Sequence, residues 1–226
     1  MNLRVDAPDA LRIGAGWVTE AEVGRSRYQA SVKPILDRVL AALLLLITMP
    51  FWLAIAIAIK LDSPGPAIFV QQRLGLNGRP FRFYKFRSMY VDAERRLHEL
   101  GPLNEMDGPV FKMQNDPRVT RFGRTLRRTS LDELPQLINV LLGNMSLVGP
   151  RPALPGEVER YRPGDGLRLR VKPGLTCLWQ IRGRSNCNFD QWMAYDREYI
   201  ERLSLGLDLS ILLRTVLVVL NHQGAY

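Results

Sequence analysis

The sequence is 226 residues long and 46% hydrophobic, which is enough for one folded domain with an appendage and excludes a wholly disordered chain. It has 31 lysine and arginine residues against 22 aspartate and glutamate residues, a formal net charge of +9, and nearly all of the cations are arginine. Because arginine binds phosphates and carboxylates through a planar fork, this surplus indicates an anionic partner: nucleic acid, phospholipid headgroups or a phosphorylated small molecule. The two cysteines and two histidines match no zinc spacing and no disulfide framework.

A long apolar run near the start of the chain predicts a membrane segment. Val39–Ile59 contains no charged residue and is long enough, as a helix, to cross a hydrocarbon core of ~30 Å. A signal peptide fits less well, because acidic residues precede the run and its apolar stretch is too long. We therefore divide the chain into an N-terminal tail at 1–32, a membrane helix at 33–63 and a larger domain at 64–226.

Pro50 lies inside this run. Proline removes one backbone hydrogen bond of a helix and clashes with the preceding turn, so it divides the run into two halves, each about 15 Å long. Cationic residues flank the run on both sides, which satisfies the positive-inside rule when both ends stay on the cytoplasmic face. We expect a re-entrant helix–break–helix that enters one leaflet; a kinked helix that spans the bilayer is the alternative.

A β-hairpin is predicted after the membrane segment. Ala67–Gln72 and Phe81–Ser88 read as short strands, and Asn77–Gly78 between them favours a tight turn. Alternation along the second strand places Lys85 and Arg87 on one face. Two cations on one face suit a phosphate, although the same pattern is also typical of a solvated strand.

The rest of the chain is predominantly helical, so the predicted fold class is α+β. Apolar residues recur at helical spacing in Leu131–Leu142, Phe189–Leu203 and Leu207–Leu220, and the last of these ends the chain as an amphipathic helix suited to a membrane interface. Arginines spaced by three residues form a cationic stripe that indicates an anionic partner or, more simply, a solvated helix face. They are Arg118, Arg121, Arg124 and Arg127.

Arg151 lies between two prolines, Pro150 and Pro152. Proline restricts its own backbone and that of the residue before it, so Arg151 has few conformations available. Such a setting suits a cation held against a phosphate, and it also describes a stiff turn.

Two adjacent carboxylates, Asp132 and Glu133, follow the arginine stripe. Ser130–Glu133 matches a capping box, which is the purely structural interpretation. Pro135 favours a helix start near Asp132, because proline is tolerated only in the first turn. At the positive end of a helix dipole and beside cations, both carboxylates are expected to be ionised. An ionised aspartate in that setting can be a nucleophile towards phosphorus or a Mg²⁺ ligand.

Taken in order, these segments resemble the bacterial sugar transferases that are monotopic polyprenyl-phosphate phosphoglycosyl transferases. The resemblance extends from about Lys33 to Tyr226. One departure is Asn144, where many members have aspartate, so this position supplies no carboxylate for metal binding or for ordering the loop. The motifs that carry the resemblance are Lys85–Met89, Asp116–Thr120, Ser130–Pro152, Lys172–Arg184 and the closing helix.

The resemblance implies a reaction in which a UDP-sugar and polyprenyl (undecaprenyl) phosphate give polyprenyl-diphosphate-sugar and UMP, the first membrane step of exopolysaccharide or other glycoconjugate assembly. It implies that Asp132 attacks the β-phosphorus and carries a phospho-sugar, and that Glu133 assists as a metal ligand or in proton handling. Mg²⁺, bound by Asp132 and Glu133, is expected as the cofactor. The candidates for binding the substrate phosphates are Lys85, Arg87, Arg127 and Arg151.

The resemblance also implies a location. It predicts a protein of the bacterial inner membrane that contacts membrane lipids, with residues 64–226 as a catalytic domain on the cytoplasmic face. A homo-oligomer is left open.

Two other classes compete with this interpretation. A membrane-anchored nucleic-acid binder accounts for the arginines but not for adjacent carboxylates among them, and the sequence lacks the interleaved basic and aromatic residues that stack bases. We therefore expect no nucleic-acid partner. A structural subunit of a polysaccharide-export assembly would turn over no nucleotide sugar.

Overall fold

The computed structural model describes residues 26–183 and 187–220, so most of the tail predicted at 1–32 lies outside the described residues. The helices are α1 (Lys33–Asp62), α2 (Ala93–Arg96), α3 (Arg121–Thr129), α4 (Gln136–Leu141), α5 (Pro155–Val158), α6 (Leu178–Arg182), α7 (Phe189–Glu201) and α8 (Leu205–Leu220). The strands are β1 (Ile68–Leu74), β2 (Pro80–Phe86), β3 (Ser146–Val148) and β4 (Gly174–Thr176). The predicted class, α+β with helices predominant, is confirmed.

The apolar run forms one long helix instead of two. α1 is continuous through Pro50, and a π-helical turn, Tyr28–Val32, leads into it. The predicted break is therefore wrong, because a proline costs the helix a single backbone hydrogen bond and the residues on either side remain helical. Among the described residues, Tyr28–Asp62 is the only helical segment long and apolar enough to cross a membrane.

One face of α1 packs against the rest of the domain along the length of the helix, whereas the other face is exposed. In the first half, Ala41 and Leu45 join the main core. In the second half, Ile55 and Ile59 pack between β2 and α3. Trp52, between these residues, packs against both clusters, whereas Leu53 beside it faces outwards and is 71% exposed. The outer face of α1 is thus an apolar surface of the kind that marks a membrane or protein contact.

A buried polar network attaches the start of α1 to the body of the domain. Lys33 Nζ lies 2.6 Å from Asp208 Oδ2 on α8 and 3.7 Å from Asp37 Oδ2 one turn along α1. The Tyr199 hydroxyl donates to Asp208 Oδ1 at 2.9 Å, and the Ser146 hydroxyl donates to Asp37 at 2.7 Å. Because the charged groups are buried, their pairing offsets the cost of removing them from water.

β1 and β2 form the predicted antiparallel hairpin. Asn77 and Gly78 in the connecting turn have φ of 57° and 71°, the left-handed conformation that a tight hairpin turn requires. On one face of β2, Phe81 and Phe83 belong to the main core. Phe86, on the other face, packs against α1 and α3. β2 therefore lies between two hydrophobic clusters.

A short parallel strand pair closes the main core. β3 pairs with β4 through Ser146 with Gly174 and Val148 with Thr176. The sequence analysis did not predict this pair, because three residues are too few to display an alternating pattern. The two C-terminal helices, α7 and α8, lie within two residues of their predicted bounds.

We expect Asp208→Ala to lower the free energy of unfolding by about 3–5 kcal/mol, because it leaves the buried Lys33 ammonium without its nearer carboxylate. Arg202→Ala is the control, since it removes a largely exposed partner of Glu198 and such pairs contribute little. Denaturant unfolding of both variants measures the difference. A loss for Asp208→Ala no larger than that for Arg202→Ala would contradict the structural role of the network.

Candidate active site

The two carboxylates lie in the turn that joins α3 to α4. Ser130 has a φ of 57° and ends α3, and Leu131–Glu133 then forms a single 3₁₀ turn. α4 begins at Gln136, directly after Pro135. The predicted helix start near Asp132 is therefore too early. Pro135 instead precedes the first residue of α4, where its missing N–H breaks no helical hydrogen bond.

Lys85 of β2 contacts both carboxylates. Its Nζ donates to Glu133 Oε1 at 2.9 Å and lies 3.6 Å from Asp132 Oδ2. Side chains alternate between the two faces of β2, so Phe83 and Lys85 share one face. Phe83 lies in the core, and Lys85, two residues further along, lies beside the turn. The two acids differ in access, since Asp132 is 5% exposed and the Glu133 side chain is 26% exposed.

Burial raises the pKa of the Asp132 carboxyl above its usual value, and the adjacent Glu133 acts in the same direction. The positive charges of Lys85 and Arg127 act to lower it. The expectation that the ionised form is favoured is therefore wrong in direction, because the neighbouring charges can be read from the sequence but the loss of water around the carboxyl cannot. These two cations favour the ionised form of Asp132.

Arg127 of α3 is the second cation beside Asp132. Its Nε donates to the Ser88 hydroxyl at 3.0 Å. Burial lowers the pKa of this guanidinium, while the negative charges of Asp132 and Asp116 act to raise it. The structure thus brings together four of the predicted site residues: Lys85, Arg127, Asp132 and Glu133.

The arginine stripe does not form one surface. Arg118 is buried and donates two hydrogen bonds to Asp116, from Nη2 to Oδ2 at 2.6 Å and from Nε to Oδ1 at 2.9 Å. Although burial acts to raise it, Arg118 holds the pKa of Asp116 below its usual value. Arg121 and Arg124 are exposed on the outer side of α3. Of the stripe, Arg127 is the residue whose charge acts on Asp132.

Two buried arginines hold the backbone carbonyls of Arg151 and of the residue that follows it. Arg168 Nη2 donates to the carbonyl oxygen of Arg151 at 2.9 Å, and Arg73 Nη1 donates to that of Pro152 at 3.0 Å. Burial, with the nearby charge of Arg151, lowers the pKa of Arg73 to about 9. Sequence reasoning missed Arg73 and Arg168, because arginine is so seldom buried that no local pattern signals it.

The side chain of Arg151 has partners of its own. Its Nη1 lies 3.5 Å from Glu157 Oε1, and its guanidinium carbon lies 5.5 Å from the centre of the Trp192 ring. None of the contacts among the described residues joins Arg151 to Asp132 or Glu133. The loop backbone is held by hydrogen bonds, and Arg151 forms a cationic position separate from the carboxylate pair.

Arg87 lies at the end of α1 instead of beside Lys85. Its Nη2 donates to the Ser63 carbonyl at 2.7 Å, and its Nη1 donates to the Pro64 carbonyl. The predicted shared face is wrong because β2 ends at Phe86, so strand alternation does not extend to Arg87. Carbonyls at a helix end lack partners within the helix, and here a buried guanidinium supplies them.

The carboxylate pair fits one known manner of Mg²⁺ binding. Mg²⁺ in proteins takes one or two carboxylates and completes its shell with water and phosphate oxygens. Asp132 and Glu133 supply two adjacent carboxylates, and the described part of the chain has no group of three His, Cys, Asp or Glu side chains that could hold a metal alone. Asn144 lies beyond the far end of α4, which is about 9 Å long, so that position is separated from the pair.

Comparison with known protein families identifies the chain. A family model described as bacterial sugar transferase matches residues 28–222, from the turn before α1 to beyond the last residue of α8. The chain belongs to the bacterial sugar transferase family. The match includes Lys85, Arg127 and both carboxylates.

Individual relatives agree with this assignment. The chain is 52% identical to galactosyl transferase CpsE of Streptococcus agalactiae over 71% of its own length and 36% of the relative. It is 40% identical to exopolysaccharide production protein ExoY of Rhizobium meliloti over 84% of its length and 86% of the relative. It is 44% identical to UDP-glucose:undecaprenyl-phosphate glucose-1-phosphate transferase of Caulobacter vibrioides over 86% and 72%. The chain spans less than half the length of several curated relatives, CpsE among them.

We expect Arg87→Ala to lower the free energy of unfolding by about 2–3 kcal/mol, because hydrogen bonds from a charged group to the carbonyls at the end of α1 are lost. Arg95→Ala is the control, since the side chain of Arg95 is 85% exposed. Denaturant unfolding of both variants gives the comparison. Equal stability of Arg87→Ala and the wild type would show that the hydrogen bonds of Arg87 to the end of α1 contribute nothing to the free energy of unfolding.

Proposed function

We propose that the chain transfers a sugar-1-phosphate from a UDP-sugar to polyprenyl (undecaprenyl) phosphate, an early step of exopolysaccharide or related glycoconjugate assembly. The names of the relatives supply the reaction class. The observation that carries the proposal for this chain is the buried Asp132 carboxylate, which has Lys85 at 3.6 Å and the charge of Arg127 close by. A carboxylate between two cations suits chemistry at a phosphorus atom that carries negative oxygens.

The proposed reaction has two displacements at the same phosphorus. An oxygen of Asp132 bonds to the β-phosphorus of the UDP-sugar, and the bond from that phosphorus to the bridging oxygen breaks, which releases UMP and leaves a phospho-sugar on Asp132. The phosphate oxygen of the polyprenyl phosphate then bonds to this phosphorus, and the bond to Asp132 breaks. The products are polyprenyl-diphosphate-sugar and the free carboxylate.

The neighbouring residues have separate proposed roles. Lys85 and Arg127 favour the ionised nucleophile and neutralise charge on the phosphoryl oxygens. Arg151, fixed by its backbone contacts, binds a more distant phosphate of the substrate. Glu133, the more exposed acid, binds Mg²⁺ together with Asp132 or handles a proton. Bound Mg²⁺ supplies charge neutralisation for the phosphate oxygens.

The proposed location is the cytoplasmic face of the bacterial inner membrane, with α1 entering one leaflet. This is supported by the contacts of one face of α1, along the length of the helix, with the same domain and by the apolar side chains exposed on its other face. A helix that crosses the bilayer separates its two ends by about 30 Å of hydrocarbon. A domain that lies on one side of the membrane can contact both ends only if neither crosses.

The covalent step can be tested without the lipid acceptor. With UDP-galactose or UDP-glucose and Mg²⁺ alone, we expect the wild type to release UMP in a burst stoichiometric with the enzyme and to gain the mass of a phospho-sugar. Asp132→Asn should release no UMP, because it lacks the attacking oxygen, whereas Glu133→Gln should react slowly and keep some adduct. Intact-protein mass spectrometry with peptide mapping is the measurement.

Two outcomes contradict this mechanism. An adduct mapped to another residue assigns the nucleophile elsewhere. Release of UMP only when both substrates are present, without any adduct, indicates direct transfer in a ternary complex, in which Asp132 is a metal ligand.

The cation beside Asp132 should set the acid side of the pH–rate profile. Because Lys85 lowers the pKa of Asp132, Lys85→Met should raise that pKa further. The reactive form is the ionised one, so the fall of kcat/KM at low pH should move to higher pH in Lys85→Met. Arg82→Met, which removes an exposed cation from the same strand, should leave the profile in place. An unmoved profile in Lys85→Met would mean that Asp132 does not act as the ionised nucleophile.

The membrane arrangement predicts a labelling pattern for single cysteines. Ser26→Cys, before α1, and Gly156→Cys, in the domain, should both react with an impermeant maleimide in inverted membrane vesicles. Neither cysteine should react when the reagent is added from the periplasmic side. Leu53→Cys should be protected from both sides, because lipid covers it. The native cysteines, Cys177 and Cys187, are buried. Periplasmic labelling of Ser26→Cys would establish a spanning helix instead.

A further inference from the structure

β2 has an edge that no strand covers in the described part of the chain, since its sheet contains only β1 and β2. In an antiparallel pair, every second residue turns its N–H and C=O away from the partner strand. Arg82 and Tyr84 are two such residues, so the Tyr84 N–H and the Arg82 carbonyl point outwards at the same edge. Both groups need a partner because the edge faces α4 and the core.

The Asn139 side chain of α4 supplies both partners. Its Oδ1 accepts from the Tyr84 N–H at 3.1 Å, and its Nδ2 donates to the Arg82 carbonyl at 2.6 Å. A carboxamide carries one acceptor and a donor group in the same relation as a backbone peptide. Asn139 therefore makes the two hydrogen bonds that a third strand would make with this edge of β2. It is 0% exposed, so water does not compete for these bonds.

This contact joins the two elements that carry the site. Lys85 directly follows Tyr84 on β2, and α4 follows the turn that carries Asp132 and Glu133. A shift of α4 along β2 would change the distances from Lys85 Nζ to the two acids, which are 3.6 and 2.9 Å. Two hydrogen bonds to backbone groups of a strand fix that register in a way that apolar contacts alone do not, because apolar contacts tolerate sliding.

We propose that Asn139 is a positioning residue, which sets the register between β2 and α4 and thereby holds Lys85 at its distance from Asp132 and Glu133. The inference rests on the proposed function, because its catalytic consequence is measured in that reaction. Asparagine is also unfavourable inside a helix and in a core, which indicates a specific use at this position. The residue touches no reacting atom, so its effect should fall on turnover and not on substrate affinity.

The test compares Asn139→Leu, which keeps the branched side chain of four heavy atoms and removes both hydrogen bonds, with Val140→Ala. Val140 is its neighbour on α4, is also 0% exposed and belongs to the main core, so this change weakens packing without touching the edge of β2. In the full chain, assayed by UMP release, we expect kcat of Asn139→Leu to fall about 10- to 100-fold, as misplacement of a site group by about 1 Å does. The KM for the UDP-sugar should change much less.

Asn139→Asp is the second variant, for use if Asn139→Leu does not fold. It keeps the acceptor for the Tyr84 N–H but places an oxygen against the Arg82 carbonyl, so a loss of kcat is expected for it as well. Unchanged kcat in a folded Asn139 variant overturns the proposal. The proposal is also overturned if Val140→Ala loses as much kcat as the Asn139 variant when both have lost the same amount of melting temperature. The loss of kcat would then follow from reduced stability in general.

A second measurement needs no substrate. Amide hydrogen exchange at Tyr84 should accelerate in Asn139→Leu and stay protected in Val140→Ala, since only Asn139→Leu frees that N–H. A wild type that releases no UMP contradicts the proposed function, whereas equal protection of the Tyr84 amide in all three proteins contradicts the positioning role. The two failures are therefore distinguishable.

Discussion

The contact of Lys85 with Asp132 and Glu133 is the interaction on which the rest of the site depends. Two adjacent carboxylates repel each other, and burial of one of them favours its protonated form. A single ammonium group at 2.9 and 3.6 Å opposes both effects. The position of that ammonium follows from the packing of β2, whose two faces are buried against different hydrophobic clusters. The electrostatics of the site are therefore a consequence of how one strand is packed.

Part of the arginine surplus stabilises the fold instead of binding a ligand. Several guanidinium groups are buried and bind carbonyls or carboxylates of the chain itself, among them Arg73, Arg87, Arg118 and Arg168. Buried arginines can fill this role because a planar fork with five donors satisfies several acceptors at once. Arginine content is thus a poor measure of the charge offered to a partner. This weakens the nucleic-acid interpretation, which rested on that count.

Local patterns predict much of the fold and part of the site. The hairpin followed from strand alternation around Asn77–Gly78, and α7 and α8 followed from long apolar periodicities. The pairing of Lys85 with Asp132 could not be predicted from spacing alone, since these residues meet only through packing of β2 against α4. The cap formed by Arg87 and the raised pKa of Asp132 depend on burial, which a single sequence does not reveal.

β2 connects α1 to the carboxylate pair. Phe86 packs against Ile55 and Ile59 of α1, while Lys85, the residue before it, points the opposite way towards the carboxylates. A displacement of α1 that moves Phe86 must therefore move the backbone of Lys85 as well, unless the contacts at the other edge of the strand resist it. The two hydrogen bonds from the buried Asn139 side chain provide this resistance, which packing alone does not provide. In the proposed reaction, where one substrate comes from the lipid phase, the site can in this way keep its geometry while α1 moves.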